Sequence, residues 1–202
     1  MNKILILFAH PRFEKSKINR ALLTNVGQIY EVSLHDLYEE YPDFNVDIER
    51  EKELLRAQDI IVWHHPFYLY SAPALLKQWM DLVLEHGWAH GNRGNNLKDK
   101  LIFNVLTIGG TREAYAARGH NKFTIGEFLT PFEQTAALCK MTYLPPFAVH
   151  GTHLLTEKDL AGYARLYQTL LERLAQGTFE IETIRNYAYL NDWLAEETGA
   201  TP

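Results

Sequence analysis

Five short apolar runs, at residues 3–10, 29–34, 59–64, 101–108 and 144–150, alternate along the chain with segments whose apolar residues recur at three- and four-residue steps. The first and third runs are continuous, so each reads as a strand covered on both faces rather than a strand with one wet side. Strands of that kind joined through helices imply parallel neighbours, right-handed crossovers and a helical layer on each face. The alternation therefore predicts an α/β fold, a doubly wound five-stranded parallel sheet with helices on both faces. In such a sheet a ligand sits beyond the carboxyl ends of the strands, where the strand order reverses. The loops after the first, third and fourth strands, residues 10–19, 65–73 and 109–120, are predicted to form that site.

Local signals place the helices. Ser16 caps one that carries Ile18, Ala21 and Leu22 and ends near Gly27, and Asp47 caps a second with Leu54 and Leu55. Pro73 opens a third, over residues 74–86, whose apolar residues spread over more than one face and call for two neighbours. Residues 87–96 read as a loop and 124–141 as one long helix. The fifth strand begins at Pro145 and Pro146, and residues 157–174 form a closing amphipathic helix. Residues 1–177 form the domain, and 178–202 are an acidic tail with a short helix over 189–197. The strand count suits the flavodoxin-like type of doubly wound sheet.

The composition, 47% hydrophobic and 22% charged over 202 residues, suits a compact chain and argues against disorder. With 20 basic and 25 acidic side chains the formal charge is −5, and no basic run offers a nucleic-acid groove or a polybasic membrane patch. The six apolar residues after Lys3 are too few for a signal-peptide core or a membrane span, so a cytoplasmic location is expected. The single cysteine, Cys139, reads as a small buried hydrophobe.

Each of the three loops carries its own chemistry. The first runs from a strand straight into a helix, where backbone amides, Ser16, Asn19 and the charge of Lys17 suit a phosphate; Ser16 reads equally well as no more than a cap. It holds neither a Walker loop nor a Gly-x-Gly-x-x-Gly. The second loop brings Phe67, Tyr68 and Tyr70 between two prolines, which suits a flat ring system or a plug on the core. In the third, Gly109 and Gly110 let backbone approach a ligand. Tyr115 and His120 follow as a phenol and an imidazole able to stabilise charge on a reduced ring, or as plain surface residues.

Taken in order, four segments resemble the NAD(P)H:quinone oxidoreductase family of flavodoxin-like flavoproteins, from residue 3 to about 174. They are residues 3–11, Ser16-Lys17-Ile18-Asn19, Trp63-His64-His65-Pro66 with the helix at 71–79, and Thr107-Ile108-Gly109-Gly110. Residues 37–48, His86-Gly87-Trp88-Ala89-His90 and residues 144–150 are similar to the branch that includes the ancillary flavoproteins of glutathione-gated potassium efflux systems. The resemblance implies FMN, or FAD as in longer members, and ping-pong two-electron hydride transfer from NADH or NADPH to quinones. It also implies a homodimer whose pocket takes in the partner chain. On this likeness His10, Ser16, Lys17, Ile18 and Asn19 hold the flavin phosphate, and Pro66, Phe67, Tyr68 and Leu69 border the ring. Thr107, Ile108, Gly109 and Gly110 contact its polar edge, while Tyr115 and His120 match the tyrosine and histidine that stabilise the reduced flavin. Leu69 stands where many members carry a tryptophan, and the gap from Tyr115 to His120 is one residue shorter than theirs. FMN is expected over FAD because no long insertion would cover an adenosine half.

Other chemistries fit less well. Among nine histidines, His64-His65 are adjacent and His86 and His90 are spaced like ligands, but Gly87 weakens a helix between the latter and no third ligand is evident, so no metal is expected. The Gly-x-Ser-x-Gly elbow of a hydrolase is missing. A one-electron carrier of flavodoxin type is disfavoured, because the acidic phosphate-loop and partner-docking surface of such carriers is not evident here. The serious alternative is a regulatory ancillary subunit of a membrane potassium efflux transporter, held at the inner face of the cell membrane by its protein partner and using flavin as a structural or redox-sensing element.

Overall fold

The computed structural model describes residues 1–199. Its strands are β1 (Ile4–Phe8), β2 (Val32–Asp36), β3 (Ile60–Pro66), β4 (Leu101–Thr107), β5 (Thr142–Tyr143) and β6 (Phe147–Val149). All pair in parallel, in the order β2-β1-β3-β4-β5, with β6 also on β4. The flavodoxin-like sheet thus has five lanes, and the fifth is split. On β4 Ile102 and Val105 are three residues apart, while their partners Tyr143 and Phe147 are four apart. The extra residue falls at Leu144-Pro145-Pro146, where prolines have no N–H for the ladder. These prolines divide the last strand rather than begin it.

The helices are α1 (Lys17–Leu23), α2 (Leu37–Glu40), α3 (Ile48–Arg56), α4 (Ala74–Val83), α5 (Ile125–Phe128), α6 (Thr130–Leu138), α7 (Glu157–Gln176), α8 (Ile181–Ile184) and α9 (Leu190–Thr198). Strand β1 shows why both faces need cover. Ile4, Ile6 and Phe8 pack with Leu22 of α1, Leu170 of α7 and Trp193 of α9, while Leu5 and Leu7 point the other way, toward Leu55 of α3, Trp79 of α4 and Phe132 of α6.

Several boundaries move. The helix expected at 124–141 is two, broken at Leu129 with Pro131 in the first turn of the second. β2 begins at Val32, because a 3-10 turn at Val26–Gln28 and Glu31, with φ +64°, occupy the residues before it. α4 ends at Val83, and its second apolar flank packs on α2 and α3 of the same chain, so it needs no second copy for cover. Cys139 is free and fully buried, and burial raises its thiol pKa to about 11.

The segment after residue 177 closes over the α7 face. Ile184, Leu190, Trp193 and Leu194 are buried there, Asn191 exchanges hydrogen bonds with the Ala148 backbone, and Asp192 pairs with Arg112 at 2.6 Å. Positions 200–202 of the tail lie outside the described residues.

Candidate functional site

Because every strand runs the same way, all carboxyl ends meet at one edge, and the loops leaving them enclose a cavity of about 840 Å³. Cofactor sites commonly span about 300–1,000 Å³. His10, Ser16, Lys17 and Ile18 line it from the loop after β1, Pro66, Phe67, Tyr68 and Leu69 from the loop after β3, and Thr107 and Gly109 from β4 and its turn. Four further residues line it that sequence reasoning did not assign: Arg12, Lys15, Thr152 and His153. The last two follow β6, and parallel pairing of the fifth strand was the available signal that its outgoing loop joins the same edge.

Asn19 does not face the cavity. It is 1% exposed, and its side chain is spent inside: Nδ2 donates to Ser16 Oγ at 2.9 Å and Thr107 Oγ1 at 3.2 Å, while Oδ1 meets His64 Nε2 at 2.9 Å. Ser16 Oγ also caps α1 by accepting the Asn19 amide at 3.3 Å. The Ser16 and Thr107 oxygens are therefore engaged as acceptors, and their hydroxyl hydrogens have no acceptor among the described residues. With Arg12, Lys15 and Lys17 nearby, that wall of the cavity offers donors and positive charge, the requirement for an anion.

In the same loop, His10 Nδ1 accepts the Arg12 amide at 3.1 Å, and burial holds its pKa below the ordinary 6.5. Tyr68 sets its ring edge-on to His10, with centroids 5.9 Å apart. Phe67 turns inward onto Tyr70, Tyr115 and Phe128, so the aromatic loop plugs the core and borders the cavity at once. Its tip, Leu69 and Tyr70, has φ of +45° and +68°, and Leu69 is 93% exposed. Two successive non-glycine residues in the left-handed region are strained by on the order of 1 kcal/mol or more each, and such strain gathers at ligand sites.

Beyond Thr107 the roles divide. Ile108 is buried, with its amide donating to Val149 O and its carbonyl accepting from Thr152. Gly110 lies under Tyr115, so close that a Cβ there would stand 2.8 Å from the ring. Burial raises the Tyr115 pKa. His120 is exposed and does not line the cavity. A histidine does pack near Tyr115, but it is His150, 6.0 Å away between centroids, with a pKa pushed by burial to about 4. Of the histidine pairs weighed as ligands, His64 and His65 are buried on β3, and His86 and His90 pack ring to ring at 5.4 Å.

Residues 2–174 match the Flavodoxin_2 family, described as a flavodoxin-like fold. Over 165 residues, 82% of this chain and 90% of the relative, the sequence is 47% identical to the glutathione-regulated potassium-efflux system ancillary protein KefG of Pectobacterium atrosepticum. Among solved structures, general stress protein 14 of Treponema denticola in complex with FMN is 36% identical with a TM-score of 0.81, over 85% of this chain and 99% of that one. An NADPH-quinone reductase from P. pentosaceus is 33% identical with a TM-score of 0.75, over 86% and 97%.

Proposed function

The chain belongs to the flavodoxin-like NAD(P)H:quinone reductase family, and from that premise we propose that it is a flavin oxidoreductase that binds FMN in the cleft and transfers electrons from NADH or NADPH to a quinone. The observation that carries the reading is the wall where two hydroxyl donors without acceptors among the described residues and three cations meet in one cavity. That wall fits the phosphate end of FMN, and the cavity's other wall, lined by Pro66, Phe67, Tyr68 and Leu69, fits a flat ring.

Bound there, the flavin would supply a ring that accepts a hydride and passes two electrons on, in ping-pong order. The chain's own residues do the rest. Ser16 and Thr107 donate to the phosphate while Lys17, Lys15 and Arg12 offset its charge, which fixes the ligand's orientation before reaction. Gly109 and Gly110 bring backbone to the ring's polar edge without side chains between. Tyr115, held over Gly110 and kept protonated by burial, is the donor assigned to charge developing at that edge. His120 would join it only from its exposed loop, and a homodimer is part of the same reading.

Purified protein titrated with FMN should show saturable quenching of flavin fluorescence. The loaded protein should oxidise NADH or NADPH only when a benzoquinone is supplied. Absence of flavin binding would overturn the proposal.

The 47% identity to KefG supports a second reading, an ancillary subunit of a potassium efflux system. No described helix is long and apolar enough to cross a membrane, so such a subunit would reach the inner face of the membrane through its transporter. Full flavin occupancy with no quinone-dependent turnover would favour this role.

A further inference from the structure

We propose that His64 and Tyr167, neither of which lines the cleft, are positioning residues that set the Ser16 and Thr107 hydroxyls as donors toward a phosphate monoester there. The proposal rests on the flavin reading above. A continuous chain of contacts joins the core to the cavity. The Tyr167 hydroxyl lies 3.4 Å from His64 Nδ1, His64 Nε2 lies 2.9 Å from Asn19 Oδ1, and Asn19 Nδ2 reaches Ser16 Oγ at 2.9 Å and Thr107 Oγ1 at 3.2 Å.

The protons of such a chain can run in two directions. In one, the Tyr167 hydroxyl donates to Nδ1, the ring proton sits on Nε2 and is given to Asn19 Oδ1, and the Asn19 amide hydrogens fill lone pairs of both hydroxyl oxygens. Ser16 Oγ, which also accepts the Asn19 backbone amide, then has only its hydrogen to turn toward the cleft, and Thr107 has its hydrogen free to turn the same way. In the other, the amide is reversed, both hydroxyls donate inward to Oδ1, and lone pairs face the ligand, which repels an anion.

The far end decides between them. Tyr167 and His64 are both fully buried, and His64 Nδ1 is the one polar partner of the Tyr167 hydroxyl among the described residues. Reversal would make that hydroxyl an acceptor and strand its hydrogen in the core, and a buried donor without a partner is the costlier arrangement. Burial, with His65 and His10 close by, pushes the His64 pKa down to about 3, so the ring has one proton to place. A phenol on α7 thus selects the polarity of two hydroxyls at the cleft.

Tyr167→Phe removes the selecting donor and leaves the ring packing. Wild type and Tyr167→Phe are each titrated with FMN and with riboflavin, which lacks the phosphate. The substitution should raise the Kd for FMN about tenfold while that for riboflavin stays within about twofold. An equal loss for both flavins, or an unchanged FMN affinity, overturns the proposal. In flavin-free wild-type protein, ¹⁵N NMR of the His64 ring should show the neutral tautomer protonated at Nε2. Protonation at Nδ1 overturns the chain's direction whether or not flavin binds. Failure of the unaltered protein to bind either flavin would instead sink the flavin reading, with the tautomer still deciding the chain.

Discussion

Lowering the pH from 7 to 5 should destabilise this protein through its histidines. His64 and His65 are 0% exposed on β3, and burial pushes their pKa from 6.5 to about 3 and about 4. The contacts of His65 require the neutral ring: Nδ1 donates to the Pro66 carbonyl at 3.0 Å, and Nε2 accepts from Asn104 Nδ2 at 3.0 Å. Both folded values lie below the unfolded one. Full stability is therefore present above about pH 6.5 and is lost as pH falls toward the folded values, because the unfolded chain binds protons that the folded chain refuses. Every pH step of one below the unfolded pKa costs a ring about 1.4 kcal/mol, so each forfeits about 2 kcal/mol between pH 7 and 5, or about 4 kcal/mol for the pair. That is a large part of the roughly 5–15 kcal/mol that holds a domain folded. Urea unfolding at pH 7, 6 and 5 measures it. His65→Gln should lower stability at pH 7, yet shrink the difference between pH 7 and 5 by about 2 kcal/mol. A midpoint that does not move with pH, or a difference that His65→Gln leaves intact, would refute the reasoning.

The cleft and the core beneath it yield three more expected outcomes. Replacing both Ser16 and Asn19 by Ala removes one donor and the amide that orients the other, and should release FMN on gel filtration; retained flavin would mean the phosphate lies elsewhere. Tyr115→Phe keeps the ring over Gly110 but deletes its hydroxyl, so FMN affinity should hold while stopped-flow reduction by NADH or NADPH slows about tenfold or more. Glu51 is 0% exposed and accepts from His35 at 2.8 Å, Tyr41 at 2.5 Å and Trp79 at 2.7 Å. Burial works to raise its pKa, but these donors outweigh it, and the net value is lowered. Glu51→Ala strands three buried groups and should cost about 3–5 kcal/mol in urea unfolding, with a loss under about 1 kcal/mol counting against the network.

Much of the cleft is legible in the sequence because loops at the carboxyl ends of parallel strands have to share one edge. His10, Ser16, Lys17, the 66–69 turn, Thr107 and Gly109 all lie there. What escapes is equally specific. Local pattern groups Asn19 with Ser16 and Lys17 toward a phosphate, but the first turn of α1 points it at His64 of β3 and Thr107 of β4, a direction that depends on how the helix docks. Thr152 and His153 join the cleft from the fifth strand's loop, whose place at that edge rests on a strand interrupted in mid-course. The division of the helix at 124–141 follows from Pro131, and the interrupted fifth strand from two prolines whose register against β4 no local pattern reveals.

The sequence by itself determined the layered α/β architecture, since a strand apolar on both faces is stable only between two covering layers, and five strands linked by helices, the first and third of that kind, leave few arrangements. It also placed the loops after the first, third and fourth strands at the ligand edge. Only the tertiary structure decided how the buried polar groups are wired. Asn19, His64, Thr107 and Tyr167 are 45, 88 and 103 positions apart in their pairings, and a hydrogen bond has direction only once both partners are in place. Which way a hydroxyl faces at the cleft is then settled in the core, where an unpaired donor is least tolerated.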